Sequence, residues 1–144
     1  MATSNAATNY LERRLLHYIF KNNSLSFSSP GDSIYVGLCT AVSAAETGSV
    51  TEASFSGYAR QQVAAASWTT IGADSTDTQT AKNTSAIEFP AKADSGNVTI
   101  THVIIADASS SGNILFVGAL DASKTLAQND IFRINATNLS IELK

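Results

Sequence analysis

Apolar and polar positions fall in short blocks along most of the chain, and one block organises the rest. Between Val98 and Leu120 two apolar runs flank Ala108, Ser109, Ser110, Ser111, Gly112 and Asn113, small residues that tolerate a chain reversal. In the first run Val98, Ile100 and Ile104 share one parity while Val103 and Ile105 hold the other, so burial passes from one side of the strand to both along its length. Ile114, Leu115, Phe116, Val117 and Leu120 make the second run. The pattern predicts a central hairpin covered on two faces, because each large side chain left in water forgoes roughly 1.5 to 3 kcal/mol of burial.

Helical periodicity is confined to Asn9 to Asn22. Leu11, Leu15 and Ile19 recur at i, i+4 and i+8 with Tyr18 alongside, and Glu12, Arg13, His17 and Lys21 lie mostly opposite, which predicts an amphipathic helix. Asn9 with Glu12 resembles a capping box, Thr8 is an alternative cap, and Asn22 and Asn23 suit a left-handed end. Two placements are open. The helix covers an open end of the sheet, or it is an arm packing on a neighbouring subunit, since Leu16 and Phe20 widen the apolar stripe beyond one contact face.

After the break at Pro30 and Gly31, Ser33 to Thr40 reads as a strand with Ile34, Val36 and Leu38 on one face and Tyr35, Gly37 and Cys39 on the other. Val42 to Ser56 reads as a long exposed loop, Gly57 to Ala65 as a strand and Trp68 as a core anchor. Gly72 to Lys82 is polar, Ala86 to Phe89 is a short strand stopped by Pro90, and Lys92 to Asn97 is a turn. Asp121 to Gln128 reads as a polar connection, followed by strands at Ile131 to Asn135 and Leu139 to Leu143. Many short strands and one helix predict a mainly β chain: an antiparallel, jelly-roll-like β-sandwich with one N-terminal amphipathic α-helix. Residues 1–144 are expected to form a single domain, with 1–23 as an N-terminal arm and helix and 33–144 as the sandwich.

Composition narrows the function. The 144 residues suffice for one core, and charged residues, at 15%, fall below the usual quarter, leaving a polar but weakly charged surface. A net charge of −3 with nine scattered Lys and Arg argues against a nucleic-acid partner. Without an apolar run of membrane length or a signal-peptide layout, neither a membrane nor a secretory route is expected. With Cys39 as the only cysteine, no intrachain disulfide can form, and no activating base is recognisable beside it. His17 and His102 lack neighbouring ligands in sequence, Asp74 and Asp77 do not reproduce a calcium loop, and neither a nucleophile elbow nor a phosphate loop is present. No catalytic, cofactor or metal site is expected, and the chain does not read as an enzyme.

Four segments, in order, carry a resemblance: NYLERRLLHYIF from Asn9 to Phe20, IYVGLCT from Ile34 to Thr40, GYARQQV from Gly57 to Val63, and THVIIADASSSGNILFVGALD from Thr101 to Asp121. Together they resemble a family of tailed-bacteriophage virion proteins described as decoration, cement or tail-fibre-like. The resemblance implies a structural protein without a cofactor, made in the host bacterial cytoplasm and assembled as an oligomer, a trimer being expected, on the particle. Two placements follow from it. The first is a capsid decoration (cement) protein that binds across subunits of the major capsid protein and stabilises the shell. The alternative is a tail-fibre or tail adaptor component, with the loops at Val42 to Ser56 and Gly72 to Lys82 facing a receptor or another tail protein. Outside that class stands a carbohydrate-binding module or a small hydrolase, which would need a polar cleft of side chains. Candidate interface residues are Leu16, Phe20, Tyr58 and Arg60, since Tyr and Arg join a large contact area to a directional polar end. The plainer reading of the last two is a core ring and a solvated charge.

Overall fold

A computed structural model of the chain describes residues 5–21, 34–69 and 79–143. In chain order these form β1 (Ala6–Ala7), α1 (Asn9–Lys21), β2 (Tyr35–Ala44), β3 (Ser49–Glu52), β4 (Gln61–Gln62), a 3-10 turn (Ala65–Ser67), β5 (Gln79–Lys82), β6 (Ile87–Glu88), β7 (Val98–Ala106), β8 (Ile114–Leu126), β9 (Arg133–Ile134) and β10 (Ser140–Leu143). The central hairpin is present as β7 and β8, antiparallel, with Ile104 opposite Val117 and Ile105 opposite Phe116. β2 pairs the free edge of β7, placing Val36 opposite Ile105 and Leu38 opposite Val103. β1 adds to β8, while β3 and β4 share the outer edge of β2. Two ribbons, β5 with β10 and β6 with β9, form the opposing layer. The chain is mainly antiparallel β with one helix and a curled, sandwich-like sheet, as its patterning predicts.

Two-sided burial of β2 and β7 creates two apolar clusters. On one face Val36, Leu38, Ile100, Val103 and Leu126 meet Ile87, Phe89, Phe132, Ile134 and Leu139 of the ribbon layer. Rings carry this core across the layers: Phe55 meets Tyr58 edge-on at 5.4 Å, Tyr58 stacks on Phe89 at 6.3 Å, and Phe89 meets Phe132 edge-on at 5.9 Å. On the other face Cys39, Ala45, Ile104 and Val117 are buried together. Where the burial of β7 changes, its pairing also slips: Ile100 pairs with Lys124 but His102 pairs with Ala119, so extra residues of β8 bulge out and β8 bends there.

Several boundaries depart from the sequence expectation. Val42 to Ser56 is largely a β-hairpin: β2 runs on to Ala44, the chain turns at residues 45–48 with Gly48 at φ +69°, and β3 returns with Val50 opposite Val42. Alanines and serines look loop-like in composition, yet Ala45 is fully buried and the two valines close the second core. Asp121 to Leu126 is strand, because backbone pairing continues past the bulge although the side chains of residues 121–125 are exposed. Within Gly57 to Ala65 only Gln61 and Gln62 form a strand; Gly57 turns the chain at φ +93°, and the Tyr58 hydroxyl rather than a backbone ladder meets the Leu38 amide. Gln79–Lys82, expected in a polar loop, is β5. Asn22, Asn23, Pro30, Gly31 and Ser33, like Asp74 and Asp77, lie outside the described residues.

Thr8, not Asn9, caps the helix. Its hydroxyl accepts the Leu11 N–H at 3.4 Å and donates to the Ile114 carbonyl at 2.6 Å, while its own N–H reaches the Leu115 carbonyl. One residue thus both starts α1 and fastens it to the first residues of β8.

Asn83 and Lys92 are polar yet almost wholly buried. Lys92 donates to the Asp94 and Ser95 carbonyls and pairs with the Asp94 carboxylate at 3.1 Å, so a turn is folded over its ammonium. Asn83 donates to the Ser85 and Asn135 carbonyls at 2.8 and 2.9 Å and accepts the Leu139 N–H at 2.9 Å. It ties β5 to the segment entering β10. Leaving those buried partners unsatisfied costs on the order of 1 to 3 kcal/mol. Asn83→Leu is therefore expected to destabilise the fold by about 2 kcal/mol and lower the melting temperature by about 4 to 8 °C in calorimetry.

Candidate interaction surface

The outer edge of β2 is occupied in turn by β4 and β3, and between them the ladder lacks a strand. Tyr58 fills the gap. Its hydroxyl accepts the Leu38 N–H at 2.9 Å and donates to Glu52 Oε1 at 2.6 Å. Arg60 grips the same carboxylate with two parallel bonds, Nε to Oε1 and Nη2 to Oε2, each 2.8 Å, the bidentate geometry that favours Arg over Lys. Its remaining nitrogen donates to the Ala108 and Ser111 carbonyls at 2.8 Å. One guanidinium thereby links the end of β3, the approach to β4 and the β7–β8 turn. That turn is locked from within by Asp107, whose carboxylate accepts from the Asn113 backbone and side chain at 2.6 and 2.8 Å. Gly37 makes room for the clamp: a Cβ there would lie 2.9 Å from both the Tyr58 hydroxyl and Ile104.

Electrostatics follow from this packing. Burial opposes the Glu52 charge, but the bonds from Arg60 and Tyr58 outweigh it and hold the carboxyl below its ordinary value near 4.5. The Glu52 bond strengthens the Arg60 charge, and burial together with that same carboxylate keeps the Tyr58 phenol protonated well above its usual range. The Arg60 side chain is only 5% exposed. Tyr58 and Arg60, two of the candidate interface residues, thus spend their polar ends inside the molecule.

Leu16 and Phe20 are placed differently. No residue of α1 is buried. The half-buried positions are Tyr10, Leu11, Arg14 and His17, a mixed stripe, with Arg14 lying over the Tyr10 ring at 5.3 Å. Leu15, Leu16, Tyr18, Ile19 and Phe20 are exposed, from 46% for Leu15 to 74% for Phe20. Of Leu11, Leu15 and Ile19, which are expected to cover an open end of the sheet, only Leu11 is half-buried; Leu15 and Ile19 are exposed, on an outward side that also carries Glu12 and Arg13. The alternation identifies an amphipathic helix; it contains no signal for which side meets the rest of the chain.

A second uncovered surface lies across the sheet. Among the described residues the ribbon layer leaves the first half of β8 and part of β7 uncovered, and a groove of about 1010 Å³ runs between them, with β1 along its edge, and the β9–β10 segment. Phe116, Leu120, Ile131 and Ile141 line it, and Ile131 is 49% exposed. Phe116 and Leu120 belong to the second apolar run of the central hairpin, whose pattern alone predicts cover on both faces.

Reactive groups are isolated. Among the described residues no three His, Cys, Asp or Glu side chains converge as a metal site would require. Cys39 is fully buried, and burial pushes its thiol up to about 12. His102 Nδ1 bonds to the Thr101 hydroxyl at 2.8 Å, and burial lowers its affinity for a proton. Among the described residues no helix is long and apolar enough to cross a membrane.

Against known proteins, one family model, described as Podophage GP4 fiber I protein gp80, matches residues 6–142. No curated protein matches the chain.

The clamp dictates a response to acid. Glu52 is held below its ordinary value, so its contribution is complete above about 4.5 and is lost as the pH falls through the folded-state value. Urea melts of the parent are expected to weaken progressively below that pH, whereas Glu52→Gln starts less stable at neutral pH and loses that part of the acid response. Arg60→Ala, which strands a partly buried carboxylate, is expected to cost about 3 kcal/mol. Arg60→Lys should recover only part of this, because an ammonium cannot reproduce the fork.

Proposed function

Because that family model spans all but the extreme ends of the chain, the chain belongs to the family, which is one of tailed-phage virion structural proteins, and we propose that it works in the virion as a structural component of a podophage tail fibre. The family description is the observation that carries the reading, since it names a fibre. It moves the tail ahead of the capsid-cement role that the resemblance of the four segments first suggests. The molecular features agree with work by shape. The internal charges are spent on fastening loops, and the free surface offers an outward apolar helix face and an open groove. Repeated weak contacts between such faces add through effective concentration on a symmetric particle. The partners are further copies of the chain, a trimer being the order implied by the resemblance, and another tail protein.

Quantitative mass spectrometry of purified particles, combined with immunogold labelling, tests the assignment. A tail-fibre component is expected at a few to dozens of copies per particle with gold at the tail. Hundreds of copies with gold over the head would replace this reading with capsid decoration, and absence from particles would remove both.

A further inference from the structure

Two surfaces of this chain each lack what the other supplies. The outer face of α1 carries five exposed apolar side chains in the span Leu15–Phe20. Together they form a patch on the order of several hundred Å², the size that on a monomer marks an interaction site. The groove beside β8 is an unfilled part of the sandwich, floored by Phe116, Leu120 and Ile141 with Ile131 at its lip. We propose that the outward face of α1 seats in the β8 groove of a second copy of this chain.

Charge distinguishes a second copy from an arbitrary apolar partner. Three of the nine Lys and Arg residues but only one of the twelve Asp and Glu lie within Asn9–Lys21, so the helix carries a net +2 and the remainder of the chain −5. A basic element is displayed by an acidic molecule of the same kind, which favours docking between copies. The groove lining itself carries two exposed carboxylates, Asp121 and Glu142, and two cations, Lys124 and Arg133, of which Arg133 is paired with Glu88 at 3.7 Å. On the helix, Arg13 lies next to Phe20 on the exposed side and is the cation placed to meet Asp121 or Glu142 of the second copy. Length agrees as well: thirteen helical residues span about 20 Å, a rod suited to a cleft between two layers of a sandwich. Thr8 fixes the base of α1 to β8 of its own chain, so the arm projects from a set point.

The contact is heterologous: each copy gives a helix and receives one, using different surfaces. Such contacts close into a ring when the rotation between copies is a fraction of a full turn. The inference requires neither a tail nor a capsid location, so its failure and the failure of the fibre reading are separate events.

Complementation between two full-length variants tests it. Phe20→Glu spoils the helix face and leaves the groove, and Ile131→Glu spoils the groove and leaves the helix; both positions are exposed, so circular dichroism is expected to match the parent. Light scattering should find the parent assembled and each variant monomeric. An equal mixture should contain one-to-one dimers by native mass spectrometry, because one intact helix then meets one intact groove. A parent that stays monomeric at every concentration would overturn the proposal. So would an Ile131→Glu chain that still assembles, which would mean that helix packs on helix, or a mixture without dimers. Should either glutamate disturb the fold, Leu16→Gln and Ile131→Ser repeat the comparison with milder changes.

Discussion

β2 and β7 are apolar on both sides, and that constraint shapes everything attached to them. A strand with one wet face can end a structure; a strand without one must be enclosed. Here the enclosure comes from unlike sources. The ribbon layer and its chain of aromatic rings cover one face, and the other is closed by short residues of the β2–β3 hairpin and by the edge of β8. The outer edge of β2 raises a separate demand, since the Leu38 amide would otherwise face a gap in the ladder. Tyr58 answers it with a hydroxyl in place of a strand, and Glu52 and Arg60 then hold that hydroxyl in position. Among the described residues no buried side-chain nitrogen or oxygen is left without a partner.

The central hairpin was legible because β-branched and large apolar residues on both parities have few alternatives to an enclosed strand. The passage from one-sided to two-sided burial along that strand was legible too, whereas the bulge in β8 beside it was not. Bulges are set by how two strands share a register, and one strand's pattern does not contain the other's spare residues. Elements defined by backbone pairing rather than burial were also hidden. Asp121 to Leu126 and Gln79–Lys82 have polar sequences and remain strands because a neighbour completes their ladders. The burial of Asn83 and Lys92 has no sequence signal for a similar reason: it depends on carbonyls that other segments bring to them, as Asn135 does for Asn83.

Of the four candidate interface residues, the sequence could not separate the inward pair from the outward pair. Tyr and Arg suit an interface and a buried clamp equally well, and the choice falls on whether a carboxylate waits nearby. Glu52 does, six and eight positions away, but only because β3 turns it toward them. For Leu16 and Phe20 the deciding fact is the direction in which α1 leaves the sheet. Thr8 sets that direction, and it turns Tyr10, Leu11, Arg14 and His17 toward the chain's own β8.

The sealed sulfur of Cys39 has a bearing on the life of a particle outside its host. A virion leaves a reducing cytoplasm for air and oxidants, where thiols of adjacent subunits can become crosslinked by accident. A thiol with no solvent access, and with its ionisation pushed far from neutral, gives up neither the thiolate nor the approach path that such damage needs. Ageing of an assembly built from this chain therefore proceeds by routes other than disulfide formation at its only cysteine.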